Sequence, residues 1–467
     1  MQSPRLLLLG LALIGAALLL AESLAGVRSE YVLGVAFVVV VFVFVFVKTE
    51  AGLYLVLFSM LLSPEFAISA SRLAESRAVI IRLEDLLLVA IALSWLAKTA
   101  VNKELGLVAT TPLNRWIFLY SLATFSATLI GYLLGTVKTS AGFFYVIKYL
   151  EYFVVYYLTV NNLRDRPQAW RLVMTAFLTA AVVSLVGAAQ IPSGQRVSAP
   201  FEGEIGEPNT LGGYLLFMSA VVAGLALETE RVRLRALCLG LLAVMAVPFM
   251  FTLSRASYLG AVPVMLTLTV LARRRLLTAT VVGALLLVSP LLLPALLPPP
   301  VKQRIVSTFQ PERGQPTVRV GRVGFDPSTS ERLMAMQAAL DGWRQRPILG
   351  HGVTGFRFMD AQYARTLVET GVVGFAAFLA LLWVVLRSGL ASYRQLSDPD
   401  GRGLALGFVA GTVGLIFHAV GANTFIIVRI MEPFWFFAGV VIALPALREV
   451  EAPAPLARPT PVLGYSV

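Results

Sequence analysis

The side chains best placed to do chemistry in this chain are three arginines and three proton-transfer candidates. Arg196 stands in "SGQRVSAPFEGEIGEPNTLGGYL", Arg255 in "FTLSRASYLG", and Arg332 near the start of "STSERLMAMQAALDGWRQRPILGHG". Asp360 and Glu369 follow in "FRFMDAQYARTLVETGVVGFAAFL", and His351 lies in the turn "GHG". A guanidinium stays charged and grips phosphate oxygens two at a time. Arginines gathered at one membrane boundary therefore suit a lipid-linked diphosphate. Such a group leaves readily when cations stabilise its developing charge, while a carboxylate or imidazole deprotonates an acceptor hydroxyl; glycosyl transfer of this kind needs no metal. Plainer readings stand beside these. Arg255 could snorkel to headgroups, His351 could cap its turn, and Glu369 could be half of an ion pair. The neighbouring Asn209 reads as a helix N-cap.

These residues must be positioned by a membrane bundle. Of 467 residues, 58% are hydrophobic and 14% charged, with mean hydropathy +0.80. Soluble domains carry about 25% charged residues. The fold class is therefore all-α, a polytopic bundle of about 12–14 helices crossing about 30 Å of hydrocarbon, with one large periplasmic loop containing amphipathic helices. Residues 1–297 hold membrane helices joined by short loops, 298–365 form the loop, 366–447 hold the last helices, and 448–467 form a Pro-rich cytoplasmic tail. The first span, Leu6 to Ala25, resembles a signal peptide but reads as an uncleaved helix.

Short connections rich in Lys and Arg stay in the cytoplasm. Here they are Lys98/Lys103, Arg164/Arg166, Arg231/Arg233/Arg235, Arg273/Arg274/Arg275 and Arg387/Arg394/Arg402. Both termini then lie inside, and Gln190 to Asn209, Thr252 to Ser257 and Pro298 to Arg365 lie outside. The net charge of +12 is on this reading a topology signal, with no nucleic-acid partner implied. The single Cys238 excludes an internal disulfide. No Walker loop, dinucleotide fingerprint or His pair at ligand spacing is present, so neither a cofactor nor a metal is expected.

Within the loop, Ser328-x-x-Glu331 reads as a capping box. Leu333, Met336, Leu340 and Trp343 then share one face of an amphipathic helix ended by Pro347 and Gly350. Lys148 with Glu151, and Arg429 with Glu432, are spaced to neutralise each other along a helix, and Arg429 could also extend the diphosphate site. His418 reads as a helix-to-helix hydrogen-bonding residue.

The order "R…PN…GGYL", "TLSRASYLG", "SERLMAMQAALDGWRQRPILGHGVTGF", "DAQYARTLVETGVVG" and "EPFWFFAGVV" resembles the O-antigen ligase and polymerase superfamily, most strongly from Gln190 to Gly374. The resemblance implies a bacterial inner-membrane glycosyltransferase that takes an undecaprenyl-diphosphate-linked glycan donor at the periplasmic face and passes it, with inversion, to a glycan, lipid or protein acceptor. Arg196 and Arg255 match the phosphate-binding arginines of that family. One departure stands out. Ligases of the family carry a His-Asn pair eleven residues before the Gly of "L-x-E-x-G", where this chain has Asp360-Ala361. Asp360 or His351 would then be the base, and loss of the His leans towards a polymerase. A lipid-linked glycan transporter is the alternative from another class, although no internal repeat marks one. A scaffold in polysaccharide export, indifferent to loss of the arginines, is a third.

Overall fold

The computed structural model describes residues 29–69, 79–101, 109–139, 141–202, 206–273, 275, 279–280, 283, 298–310, 317–320 and 323–447. The expected span Leu6 to Ala25 and the tail 448–467 lie outside these, as does nearly all of the expected span Thr278 to Leu297.

The chain folds as a polytopic helical bundle. Its first helices are α1 (Ser29–Val47), α2 (Thr49–Leu62), α3 (Leu83–Val101), α4 (Asn114–Leu133), α5 (Ala141–Asn162) and α6 (Arg166–Gln190). They are followed by α7 (Pro208–Glu228), α8 (Val232–Phe251), α9 (Arg255–Leu271) and the short α10 (Pro299–Val306). Last come α11 (Pro327–Gln345), α12 (Gln362–Gln395), α13 (Pro399–His418) and α14 (Val428–Ala443). Eight of the described helices are long and apolar enough to cross a membrane, with three shorter apolar stretches besides. Two small antiparallel hairpins add to this all-α plan: β1 (Glu65–Ser69) with β2 (Val79–Arg82), and β3 (Arg319–Val320) with β4 (Val323–Gly324).

Helices α7, α13 and α14 form the centre. About four-fifths of each is buried, against 17% of α8, which turns its side chains outward. Small residues let α7 and α13 meet backbone to backbone, because lipid supplies no hydrophobic drive for helices to associate and close packing must do so. A Cβ on Gly224 would lie 2.3 Å from the Gly407 nitrogen. At one end of the bundle, ion pairs tie the helices together: Arg166 to Asp398 at 3.0 Å, Arg402 to Glu228 at 3.0 Å, and Arg231 to Asp400. The ends of α1, α3 and α5 and the starts of α2 and α6 also meet one another, around a shared cavity. The loops at 194–202 and 252–254 meet at the other end of their helices, where Val197 donates its N–H to the Phe251 carbonyl.

The expected pair of Lys148 and Glu151 forms and is extended. Lys148 reaches Asp85 as well as Glu151, the latter at 3.4 Å. Arg429 is fully buried and serves two loops. It donates to the carbonyls of Pro200 at 2.9 Å and Ser63 at 3.0 Å and lies 3.6 Å from Glu202, while Glu432 keeps a buried carboxylate oxygen without a partner. A fully buried guanidinium has five N–H groups to satisfy, and backbone carbonyls from two loops serve it better than one carboxylate. Arg429 therefore fastens the α2 and α6 loops to α14.

Helix α12 is broken at Gly371, whose φ of 63° and ψ of −168° no L side chain adopts easily. The break is filled by the preceding turn. Val372 and Val373 donate to the carbonyls of Pro347 and Ile348, and His351 and Gly352 donate to those of Val368 and Glu369. The backbone groups orphaned by the break are thus paired within protein, as membrane depth demands. The result seats the Pro347 to Gly352 turn, and with it the end of α11, against α12.

Candidate active site

Four arginines converge where three helices begin. Helix α9 starts at Arg255, and its N-cap Ser254 accepts from the Ser257 N–H while donating its hydroxyl to Asn209 Oδ1 at 2.8 Å. Asn209 is thus not the cap of α7, which begins one residue earlier at Pro208; its side chain ties the start of α7 to that of α9. Helix α11 is capped by Asp326, which accepts from the Thr329 N–H, two residues ahead of the expected capping box at Ser328. A Pro at the first helical position favours that earlier start. The Asp326 carboxylate also receives Arg255 at 2.8 Å to both oxygens. Helix N-termini carry partial positive charge and free N–H groups, so their convergence adds to the field of the arginines.

Arg196 reaches into this group from the 194–202 loop, donating to the Thr252 carbonyl at 3.0 Å and the Leu253 carbonyl at 3.2 Å. Leu253 is held in the left-handed region with φ 50°, a conformation costly for a side chain with a Cβ. It turns the chain sharply between α8 and α9 at the point where Arg196 and Arg255 meet. Arg304 enters from α10, and Arg332 from the second turn of α11, where it lies 3.5 Å from Asp360 Oδ2. Burial pushes Arg196 down to about 10, and the like charges of Arg304, Arg332 and Arg255 add to this. Arg304 is lowered in the same way, by burial and then by Arg255. Burial opposes ionisation of Asp326, yet hydrogen bonds from Thr329 and Arg255 hold its carboxyl below the usual range. Among the described residues, four guanidiniums against the carboxylates of Asp326 and Asp360 leave two positive charges. Arg255 Nε and Arg304 Nε are buried with no partner. Buried donors without partners cost free energy, and an anion carrying about two negative charges would satisfy both the charge and the donors.

Asp360 stands at the edge of this cluster, partly open to solvent. The segment that carries it is pinned from below: Asn423 donates to the Met359 carbonyl at 2.9 Å, and the Phe425 N–H donates to Gln362 Oε1 at 2.9 Å. His418, fully buried at the end of α13, shares a hydrogen bond between Nδ1 and Thr424 Oγ1 at 2.7 Å and leaves Nε2 unpartnered; Asn423 Oδ1 is unpartnered too.

The structure thus brings Arg196, Arg255, Arg332 and Asp360 together and adds Arg304. It sets His351 and Glu369 apart from that cluster. His351 is buried, its Nε2 2.9 Å from the Gly342 carbonyl and its ring against Phe356. Glu369 is buried and receives Arg365 Nε at 3.1 Å and the Thr354 N–H at 3.3 Å. Arg365 also donates to the Tyr149 hydroxyl at 3.0 Å and lies over Phe358. Neither His351 nor Glu369 touches the arginine cluster among the described residues. Arg304 had no signal in the sequence beyond its place in the loop. Arg365 could have been found from its spacing, four residues before Glu369. No group of three His, Cys, Asp or Glu side chains is arranged to hold a metal among the described residues.

Residues 240–379 match the family model described as O-antigen ligase. The matched segment contains Arg255, Arg304, Arg332 and Asp360, together with the break in α12, and it supports the resemblance to the O-antigen ligase and polymerase superfamily that the motifs carry. No curated protein matches the chain.

Proposed function

With the O-antigen ligase family match over residues 240–379 as premise, we propose that the chain is a membrane glycosyltransferase that polymerises undecaprenyl-diphosphate-linked repeat units at the periplasmic face. The observation that carries this reading is the cluster of Arg196, Arg255, Arg304 and Arg332, with its excess of two positive charges at converging helix starts. A lipid diphosphate esterified at both ends carries two negative charges, which that excess balances.

In the reaction, the acceptor hydroxyl oxygen attacks the anomeric carbon from the face opposite the diphosphate. The bond from that carbon to the diphosphate oxygen breaks, the electron pair leaves with the diphosphate, and the guanidiniums hold the charge. Asp360 takes the hydroxyl proton, and inversion follows from the single displacement. No step calls for a metal. Arg332 ties the two halves of the site, touching the base and facing the leaving group.

A ligase would use the same donor site with a different acceptor. Asp360, in the place where ligases of the family carry His, favours the polymerase. The two separate when purified protein in liposomes is given the lipid-linked oligosaccharide alone. A polymerase produces a ladder of longer lipid-linked glycans. Transfer only after lipid A core or protein is added would replace this reading with the ligase.

A further inference from the structure

At the end of the bundle opposite the arginine cluster, the ends of α1, α3 and α5 and the starts of α2 and α6 surround a cavity of about 560 Å³. That volume falls in the range of small-molecule sites, about 300–1,000 Å³. Its walls carry Lys48, Lys98, Arg164 and Arg171 against a single carboxylate, Glu50. Glu50 is already engaged, by Arg171 at 3.1 Å and by the Tyr54 hydroxyl at 3.2 Å. Lys98 donates to Thr49 Oγ1 at 2.8 Å, and neither it, Lys48 nor Arg164 has a carboxylate partner among the described residues. Helix α2 opens onto the same space: Thr49, Glu50 and Ala51 line it, and no side chain caps the helix start. Three cations without a carboxylate partner among the described residues, an uncapped helix start and a preformed cavity converge on one ligand chemistry.

We infer that this cavity binds a phosphate-bearing anion, independently of the donor site on the other face. Basic pockets between membrane helices at the cytoplasmic side are suited to anionic lipid headgroups, and the cavity's place at the helix ends gives a headgroup access from the bilayer. A soluble phosphate compound would use the same groups. The anion would join helices α1, α3, α5 and α6 at a point where the protein supplies almost no negative charge of its own.

The test is native mass spectrometry of the full chain in neutral detergent, titrated separately with phosphatidylglycerol, phosphatidylcholine and inorganic pyrophosphate. Wild type is compared with Lys48→Gln/Arg164→Gln, whose side chains are exposed and leave every ion pair intact, and with Lys98→Met. Arg304→Ala serves as the control for anions bound at the opposite face. At about fivefold per cation near a membrane surface, the double variant should weaken one anion adduct about thirtyfold, while Arg304→Ala leaves that adduct in place. Loss of the phosphatidylglycerol adduct, with phosphatidylcholine binding unchanged, identifies a lipid headgroup; loss confined to pyrophosphate identifies a soluble anion. Equal binding of both anions by wild type, the double variant and Lys98→Met overturns the inference.

Discussion

Arg196 and Arg304 show how differently two residues of one site can be written in a sequence. Arg196 is conspicuous in the sequence because the pattern of basic connections assigns its loop to the side where positive charge is disfavoured. Arg304 sits on a short helix whose neighbours include Lys302 and Gln303, so nothing in its surroundings separates it from a solvated face. Only the fold, which half-buries it near Arg255, sets it in the cluster. Replacing either arginine with alanine should lower glycan transfer about a hundredfold, the cost of removing one charge-stabilising donor, with little change in thermal stability. Parallel transfer and melting measurements check both halves of that statement. Glu369 should behave in the opposite way. Glu369→Gln leaves Arg365 buried without its carboxylate, which costs about 3–5 kcal/mol, so its melting temperature should fall more steeply than that of any arginine variant of the cluster. Glu202 gives a pH dependence. Burial raises its carboxyl to about 7 against the opposing pull of Arg429, so the folded state holds the proton more tightly than the unfolded one. Its contribution is complete below the unfolded value of 4.5 and is lost as pH rises through about 7. Melting temperatures taken from pH 4.5 to 8 should decline in wild type, and the decline should be shallower in Glu202→Gln.

Among the elements, α11 departs furthest from its sequence pattern. The stripe Leu333, Met336, Leu340 and Trp343 is regular, yet Met336 and Leu340 are 41% and 46% exposed. The side that packs carries Ala335, Ala339 and Gly342 instead. Gly342 explains the inversion, since a Cβ there would lie 2.5 Å from the Phe356 ring. The helix approaches the bundle on its small residues and leaves Met336 and Leu340 exposed. Periodicity finds an apolar face, but close approach selects a small one. The break in α12 was equally hidden, because "ETGVVG" reads as continuous helix. Gly371→Ala should strain this element, both by its positive φ and because the new Cβ would meet the Ile348 carbonyl at 2.2 Å. Destabilisation of about 1–3 kcal/mol is expected, together with reduced transfer, since the same turn seats α11 and its Arg332. Retention of wild-type melting and activity would show that the break is dispensable.

At the scale of the whole molecule, composition was enough to read the polytopic helical bundle. The hydrocarbon imposes that plan on any chain this apolar. Tertiary closure was not readable: Arg429 meets Ser63 across 366 positions, and no local pattern anticipates it. Sidedness can be measured directly. In a Cys238→Ser background, Ser193→Cys should be modified by a membrane-impermeant thiol reagent added outside the cell, and Arg164→Cys only after the membrane is opened. The central claim is that the four-arginine cluster holds the donor diphosphate. It is tested most directly by the affinity of the purified protein for undecaprenyl-diphosphate oligosaccharide, wild type against Arg304→Ala, with a dephosphorylated lipid-linked glycan as reference. The account requires wild type to prefer the diphosphate over the reference, and Arg304→Ala to bind it at least about tenfold more weakly, as expected for a lost charge-assisted contact. Equal affinity of the two proteins for the diphosphate, or no preference over the reference, would contradict it.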